Sequence, residues 1–323
     1  MNEPDEGTLH EICWEVLLNN RGKPVGWLAL EVARAVARCC LGHDVRPLGA
    51  ARFDRSRQDE DGNHRAEPPT RSDRLAVLLE RGRRRKHRHV ASGVSTGGFM
   101  NILAVFAHPD DETLGCGATL ARCADAGARV VVVVFTDGIG ARASSDPEGW
   151  SAAAARNRNF LAALKVLHLD SGGGFGAFSD QQLDRESSLR LVRTVEGYVG
   201  YHKPDVIYTH HVGDLNADHR AVAQAVLTAT RPAVSTVLAV YACEIPSSTE
   251  WAFGGTPFVP NVFVDVTETI DRKIEAMCCY TNEMGSALHP RSPEKLRALA
   301  AWRGATIGAA YAEAFVSLRE VRR

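Results

Sequence analysis

Ile102-Leu-Ala-Val-Phe-Ala107-His108-Pro109-Asp110-Asp111-Glu112-Thr-Leu-Gly115-Cys-Gly117 is the stretch that decides how this chain reads. An apolar run, 102–107, ends abruptly in one histidine and three acids. A run with no polar alternation predicts a central strand buried on both faces. The segment behind it, amphipathic and punctuated by Gly115 and Gly117, predicts a helix over 113–126. The charged residues then fall at the carboxyl end of the strand, the edge where open α/β sheets bind ligands. Acids this close repel one another, so a fold that gathers them holds a cation or uses a perturbed carboxylate.

His108 and Asp111 are spaced to reach one metal from a single tight turn. Imidazole nitrogen and carboxylate oxygen are usual ligands of catalytic zinc, which keeps three protein ligands and an open position for water. Asp110, between them, is then free to act as a base on that water. Capping of the following helix also suits Asp and Glu. It explains one or two acids but not the histidine, and it is compatible with metal binding.

Further strand ends repeat the pattern. Residues 129–135 are β-branched enough for a second buried strand, ending in Thr136-Asp137-Gly138-Ile-Gly140-Ala-Arg142. Asp137 fits a plain turn or a substrate contact equally, and the Arg142 guanidinium suits a clamp on hydroxyls or a phosphate. Pro204-Asp-Val-Ile-Tyr-Thr209 predicts a third strand, followed by His210-His211-Val-Gly-Asp214-Leu-Asn216-Ala-Asp218-His219-Arg220. A histidine completing a three-ligand site must come from elsewhere in the chain, and this cluster is the natural donor. A helix over 217–229 places His219 in its first turn.

The glycine-rich stretch 170–180 is no phosphate-binding loop, because no Gly-Lys-Ser/Thr follows. It reads as a mobile loop over the site or as a connector. Helices are expected over 152–167 and 183–199, strands over 236–241 and 261–266, and a helix from 267. Trp251 ends a polar segment that suits either a sugar-lining wall or a surface loop around a buried Trp. His289 and Arg291, before a closing pair of helices at 294–302 and 305–319, come within reach of the site.

The composition, 45% hydrophobic and 24% charged, is that of an ordinary soluble globular protein. A net charge of −1 gives no electrostatic case for a nucleic-acid partner. No apolar run approaches the ~20 residues that span a bilayer, and the acidic start lacks the features of a signal peptide. The eight cysteines form no CxxC pattern, which fits reduced thiols in a cytoplasmic protein. Residues 1–99 differ in character. They offer an amphipathic helix at 27–40, a polar and charged segment at 52–70 and a basic run at 81–89 that reads as a solvated linker. Residues 1–99 therefore read as a poorly ordered, dispensable extension, and 100–323 as a Rossmann-like α/β three-layer sandwich with a mostly parallel sheet.

Ala107-His-Pro-Asp-Asp-Glu112 after a hydrophobic strand, with Gly115-Cys-Gly117 beyond, resembles the PIG-L/LmbE family of zinc-dependent de-N-acetylases. The resemblance covers about two thirds of the chain and continues in Trp302-Arg303-Gly304 and Ala312-Glu-Ala-Phe315. It implies His108 and Asp111 as zinc ligands and Asp110 as general base. The third ligand implied is His219, the last residue of the family's His-Xaa-Asp-His motif. Asn216 departs from that motif by replacing its first histidine, although Asp214-Leu-Asn-Ala-Asp-His resembles a bacterial subset that carries Asn. An amide can donate to an oxyanion but has no titratable proton, so the proton for the leaving amine falls to His211, His210 or Asp110. The resemblance implies removal of an N-acetyl group from a small-molecule amino sugar or N-acetylglucosamine conjugate. A longer N-acyl chain, a non-sugar amide and an inactive sugar-binding homologue are the alternatives.

Overall fold

The computed structural model describes residues 100–140, 150–232 and 235–322. The expected features at 27–40, 52–70 and 81–89, and Arg142, lie outside the described residues.

The apolar run forms strand β1 (Asn101–Phe106), and Ile102 to Phe106 are all buried. Helix α1 (Asp111–Asp125) follows, then β2 (Arg129–Val134), α2 (Trp150–Leu167), the two-residue β3 (Asp170–Ser171), and α3 (Ser188–His202). Next come β4 (Val206–His210), α4 (Ala217–Ala229), β5 (Ala239–Cys243), β6 (Val262–Asp265), α5 (Ile270–Cys278), α6 (Pro293–Ala305) and β7 (Ala312–Glu320). The strands form one seven-stranded sheet in the order β3-β2-β1-β4-β5-β7-β6. β1 to β5 pair in parallel, and β7 lies antiparallel between β5 and β6. Ala104 of β1 sits in register with Val132 on one side and Tyr208 on the other. That central position is why β1 is apolar on both faces.

Alternate residues of β1 feed two cores. Ile102, Ala104 and Phe106 pack with Leu120 of α1, Phe160 of α2, Met277 of α5 and Leu296 of α6. Leu103 and Val105 pack with Val195 of α3 and Val226 of α4. Helices thus cover both faces. The chain leaves β1 towards β2 on one side and later returns to β4 on the other, so the carboxyl ends of β1 and β4 flank the point where strand order reverses. Crevices at such points are where doubly wound sheets bind ligands.

One expectation fails. Residues 312–320 form a strand, not the second of a closing pair of helices. Ala and Glu favour helix locally, but the gap between β5 and β6 offers a ladder on both sides, and that tertiary pairing prevails.

Helix α1 is broken at Cys116, whose φ of −151° is non-helical. The break leaves backbone groups that the rest of the fold satisfies. Lys273 Nζ donates to Leu114 O at 2.7 Å, and Glu313 of β7 accepts from the N–H groups of Ala118 and Thr119 at 3.2 and 2.7 Å. Lys273 and Glu313 also pair at 2.6 Å. A cation therefore meets the carbonyl end of the first turn and an anion meets the N–H end of the second, as helix dipoles favour. Gly115 allows this segment to lie against β5, because a Cβ there would come within 2.9 Å of Cys243 Cβ and Ile245 Cδ1.

Candidate active site

The turn after β1 and the segment after β4 meet at the sheet edge. His108 Nδ1 lies 3.1 Å from Asp111 Oδ2 and 3.2 Å from His219 Nε2, and the latter is 3.4 Å from Asp111 Oδ2. All three residues are buried, and the three donor atoms converge on one point. His108 N–H also donates to Asp111 Oδ2 at 2.9 Å, which closes the turn.

Two nitrogens and one carboxylate oxygen match the donor set of a catalytic zinc. The outward-facing nitrogens match too, because ligating histidines usually give their second nitrogen to a carboxylate. His219 Nδ1 lies 3.1 Å from Asp214 Oδ1. His108 Nε2 lies 3.1 Å from Asp180 Oδ1 and 3.3 Å from Asp218 Oδ2. Burial alone would disfavour charge on His108, but Asp111, Asp180 and Asp218 outweigh it and raise its pKa well above the usual value. Burial likewise pushes Asp111 up, yet His219, His210 and His108 hold it well below the ordinary carboxylate range. A metal ion bound here would take the place of the imidazole protons, since histidine ligates only when neutral.

The acids behind the histidines are themselves fixed. Asp214 accepts from Asn216 N–H at 2.8 Å, from Thr249 Oγ1 at 2.5 Å and from Ser248 Oγ. Despite burial, His219 and these hydroxyls depress its pKa. Asp218 accepts from the N–H groups of Gln181 and Leu183 at 2.8 and 2.9 Å. Asp180, at the end of the glycine-rich stretch, thereby enters the site. The stretch itself is tied to the sheet edge, where Gly174 has a φ of +88° and a Cβ would stand 2.6 Å from Val134 O.

Asp110 is nearly fully buried and has a left-handed backbone, φ 109° and ψ −28°. Its side chain makes no capping hydrogen bond to α1, so the capping explanation does not describe it. Oδ2 instead meets Arg291 Nη1 at 3.0 Å and Arg156 Nη2 at 3.2 Å. Burial raises the Asp110 pKa, and the two guanidiniums oppose that rise. Its backbone N–H donates to Glu112 Oε2 at 3.0 Å. Glu112, which also accepts from Tyr280 OH at 2.7 Å, is pushed up by burial to about 7.

Asn216 is the N-cap of α4. Its Oδ1 accepts from Asp218 N–H at 2.8 Å, which leaves the amide N–H groups as its donors at the cavity. His210 Nε2 accepts from Ala107 N–H at 2.9 Å, and its ring stacks on His219 with centroids 3.9 Å apart. Burial and the neighbouring His219 keep it neutral. His211 is set apart from the cavity lining: its Nδ1 accepts from Gly213 N–H and its ring faces the Phe258 ring edge-on at 5.4 Å. Asp137 accepts from Ile139 N–H at 3.2 Å, a turn contact, and stands next to Gly138 of the cavity lining. Trp251 is 56% exposed on a short 3-10 turn, so it is neither buried nor part of the lining.

The cavity measures about 400 Å³ and is lined by polar groups, among them His108, Asp110, Asn216, His219, Ser248 and Arg291. Sequence reasoning left Asp180, Asp214, Asp218 and Arg156 without roles. Asp214 and Asp218 stand inside the second polar cluster, which is a signal. Arg156 lies within α2 with nothing local to mark it.

Residues 103–230 match the family model described as PIG-L: GlcNAc-PI de-N-acetylase. An Escherichia coli K12 protein named uncharacterized deacetylase YaiS is 34% identical over 52% of this chain and 82% of its own length. Diacetylchitobiose deacetylase of Thermococcus kodakarensis is 25% identical over 66% of this chain and 80% of its own. The structure of N,N'-diacetylchitobiose deacetylase from Pyrococcus horikoshii superposes with a TM-score of 0.58, covering 78% of this chain and 94% of that one at 19% identity.

Proposed function

The chain belongs to the PIG-L family, and on that premise we propose that it is a zinc-dependent hydrolase removing an N-acetyl group from an amino sugar or an N-acetylglucosamine conjugate. The observation that carries the reading is the convergence of His108 Nδ1, Asp111 Oδ2 and His219 Nε2, each histidine backed by a carboxylate on its far nitrogen. The names of the relatives, diacetylchitobiose deacetylase among them, support an acetylated sugar as substrate. A polar cavity of about 400 Å³ suits a hydroxyl-rich ring better than a long acyl chain.

His108, Asp111 and His219 would hold the metal, which when bound would supply Lewis acidity for activating water and the amide carbonyl. Asp110 takes the proton of the attacking water through Oδ1, because Oδ2 is occupied by two arginines. The developing oxyanion receives a hydrogen bond from the Asn216 side-chain amide. Asn216 has no proton to give, His211 lies outside the cavity, and His210 is committed to the Ala107 N–H. Asp110 therefore returns its proton to the leaving amine. Acid and base are one carboxyl group in this scheme.

The test is acetate release by zinc-loaded protein across N-acetylated amino sugars and their conjugates, with N-acyl analogues of increasing length alongside. Turnover confined to acetyl sugars supports the reading. Turnover only of longer acyl or non-sugar amides would replace the substrate, and none on any amide would remove the hydrolase.

A further inference from the structure

We propose that Arg291 is a positioning residue for Asp110, fixing the carboxylate so that Oδ1 is the oxygen left for proton transfer. The inference rests on the reading of Asp110 as the base.

The backbone of Asp110 is held locally, by Glu112 Oε2 on its N–H and by Leu114 N–H on its carbonyl at 2.8 Å. Its carboxylate is not, since it makes no capping hydrogen bond to the helix it precedes. Orientation comes from distant parts of the chain. Arg156 approaches from α2, donating also to Pro109 O at 2.5 Å, and its guanidinium lies 5.3 Å from the Tyr280 ring centre. Arg291 approaches from the turn just before α6, where its own N–H donates to His289 Nδ1 at 3.1 Å and the next residue, Ser292, caps the helix.

The Arg291 fork spans two walls of the cavity. Nη1 reaches Asp110 Oδ2 at 3.0 Å while Nε donates to Ser247 Oγ at 2.8 Å. Ser247 has a φ of +75°, a conformation that non-glycine residues keep only where surrounding contacts impose it. A lysine carries the same charge but cannot make both contacts from one planar group. The charges in the cluster also argue for positioning. Glu283 pairs with both guanidiniums, so among the described residues of this cluster two arginines face two carboxylates, Asp110 and Glu283, and their charges balance. The surface exposure of Arg291, 19% against 6% for Arg156, makes it the safer of the two to replace.

A double-mutant cycle reads this directly. Arg291→Met should retain zinc and keep KM within about threefold, while kcat falls about 10²-fold, the usual cost of a misplaced catalytic group. Arg291→Lys should fall between Met and wild type. In the Asp110→Asn background the same Met substitution should cost less than about twofold, because the group it positions is gone. Losses that multiply in the double variant, or a raised KM at unchanged kcat, would overturn the proposal and make Arg291 a scaffold or substrate contact. Crystal structures of wild type and Arg291→Met give a readout independent of turnover. The Asp110 carboxylate should rotate in the variant, and an unmoved carboxylate overturns the proposal even if kcat falls. Should the wild type release no acetate at all, the hydrolase reading fails, and the crystallographic comparison still decides the role of Arg291.

Discussion

Asp110 and its neighbours separate chemistry from architecture one side chain at a time. Asp110→Asn cannot accept a proton, so kcat should drop by roughly 10²–10⁴ with zinc content unchanged. Near-normal turnover would take Asp110 out of the mechanism. Asp214→Asn tests the support behind His219. It leaves the ligand in place but weakens the partner on its far nitrogen, so zinc affinity should fall by about 10–100-fold. Unchanged affinity in a competitive chelator titration would reduce Asp214 to a loop anchor through Ser248 and Thr249. At this scale the sequence was readable wherever chemistry is local. His108, Asp110 and Asp111 sit within four positions of one another, and that crowding has few structural explanations. Arg156 and Arg291 reach the same carboxylate from 46 and 181 positions away, and no spacing rule connects them.

Helix α1, broken at Cys116, is held together by residues of two other elements. Lys273 and Glu313, from α5 and β7, satisfy the groups exposed at Cys116 and pair with each other in the core. Lys273→Met would leave the Glu313 carboxylate buried without its cation, a change that costs about 3–5 kcal/mol. Glu313→Gln keeps only one of the two oxygens that accept from Ala118 and Thr119, sets its NH2 against a donor and leaves Lys273 without its anion, so it should cost about as much. Urea unfolding of both variants decides it, and a loss below about 1 kcal/mol for Lys273→Met would show that the pair is not what holds the break. Apolar runs announced β1 and β2, since a strand buried on both faces has little choice of residues. β7 was hidden because Ala312, Glu313 and Ala314 suit a helix, and only the slot between β5 and β6 makes them a strand. The break in α1 was foreshadowed by Gly115 and Gly117, but its repair depends on residues more than 150 positions away.

The whole molecule gathers its site where strand order reverses, between β1 and β4, with both polar clusters at carboxyl ends. That much followed from the order of apolar runs and polar endings, which is why the fold class was legible before any side-chain contact. Among the described residues, every strand of the sheet lies within 101–320. A chain beginning at Met100 should therefore bind zinc and unfold at the same temperature as the full chain, within about 2–4 °C, the shift that 1 kcal/mol produces at this size. Insolubility of the shorter chain would mean that 1–99 contribute to the folded core. Dependence of turnover on the metal tests the account as a whole. Protein stripped with a chelator should release no acetate from an N-acetylated amino sugar, and activity should rise linearly with added zinc to saturation at about one equivalent per chain. Full activity in the metal-free protein, or acetate release that ignores added zinc, would contradict it.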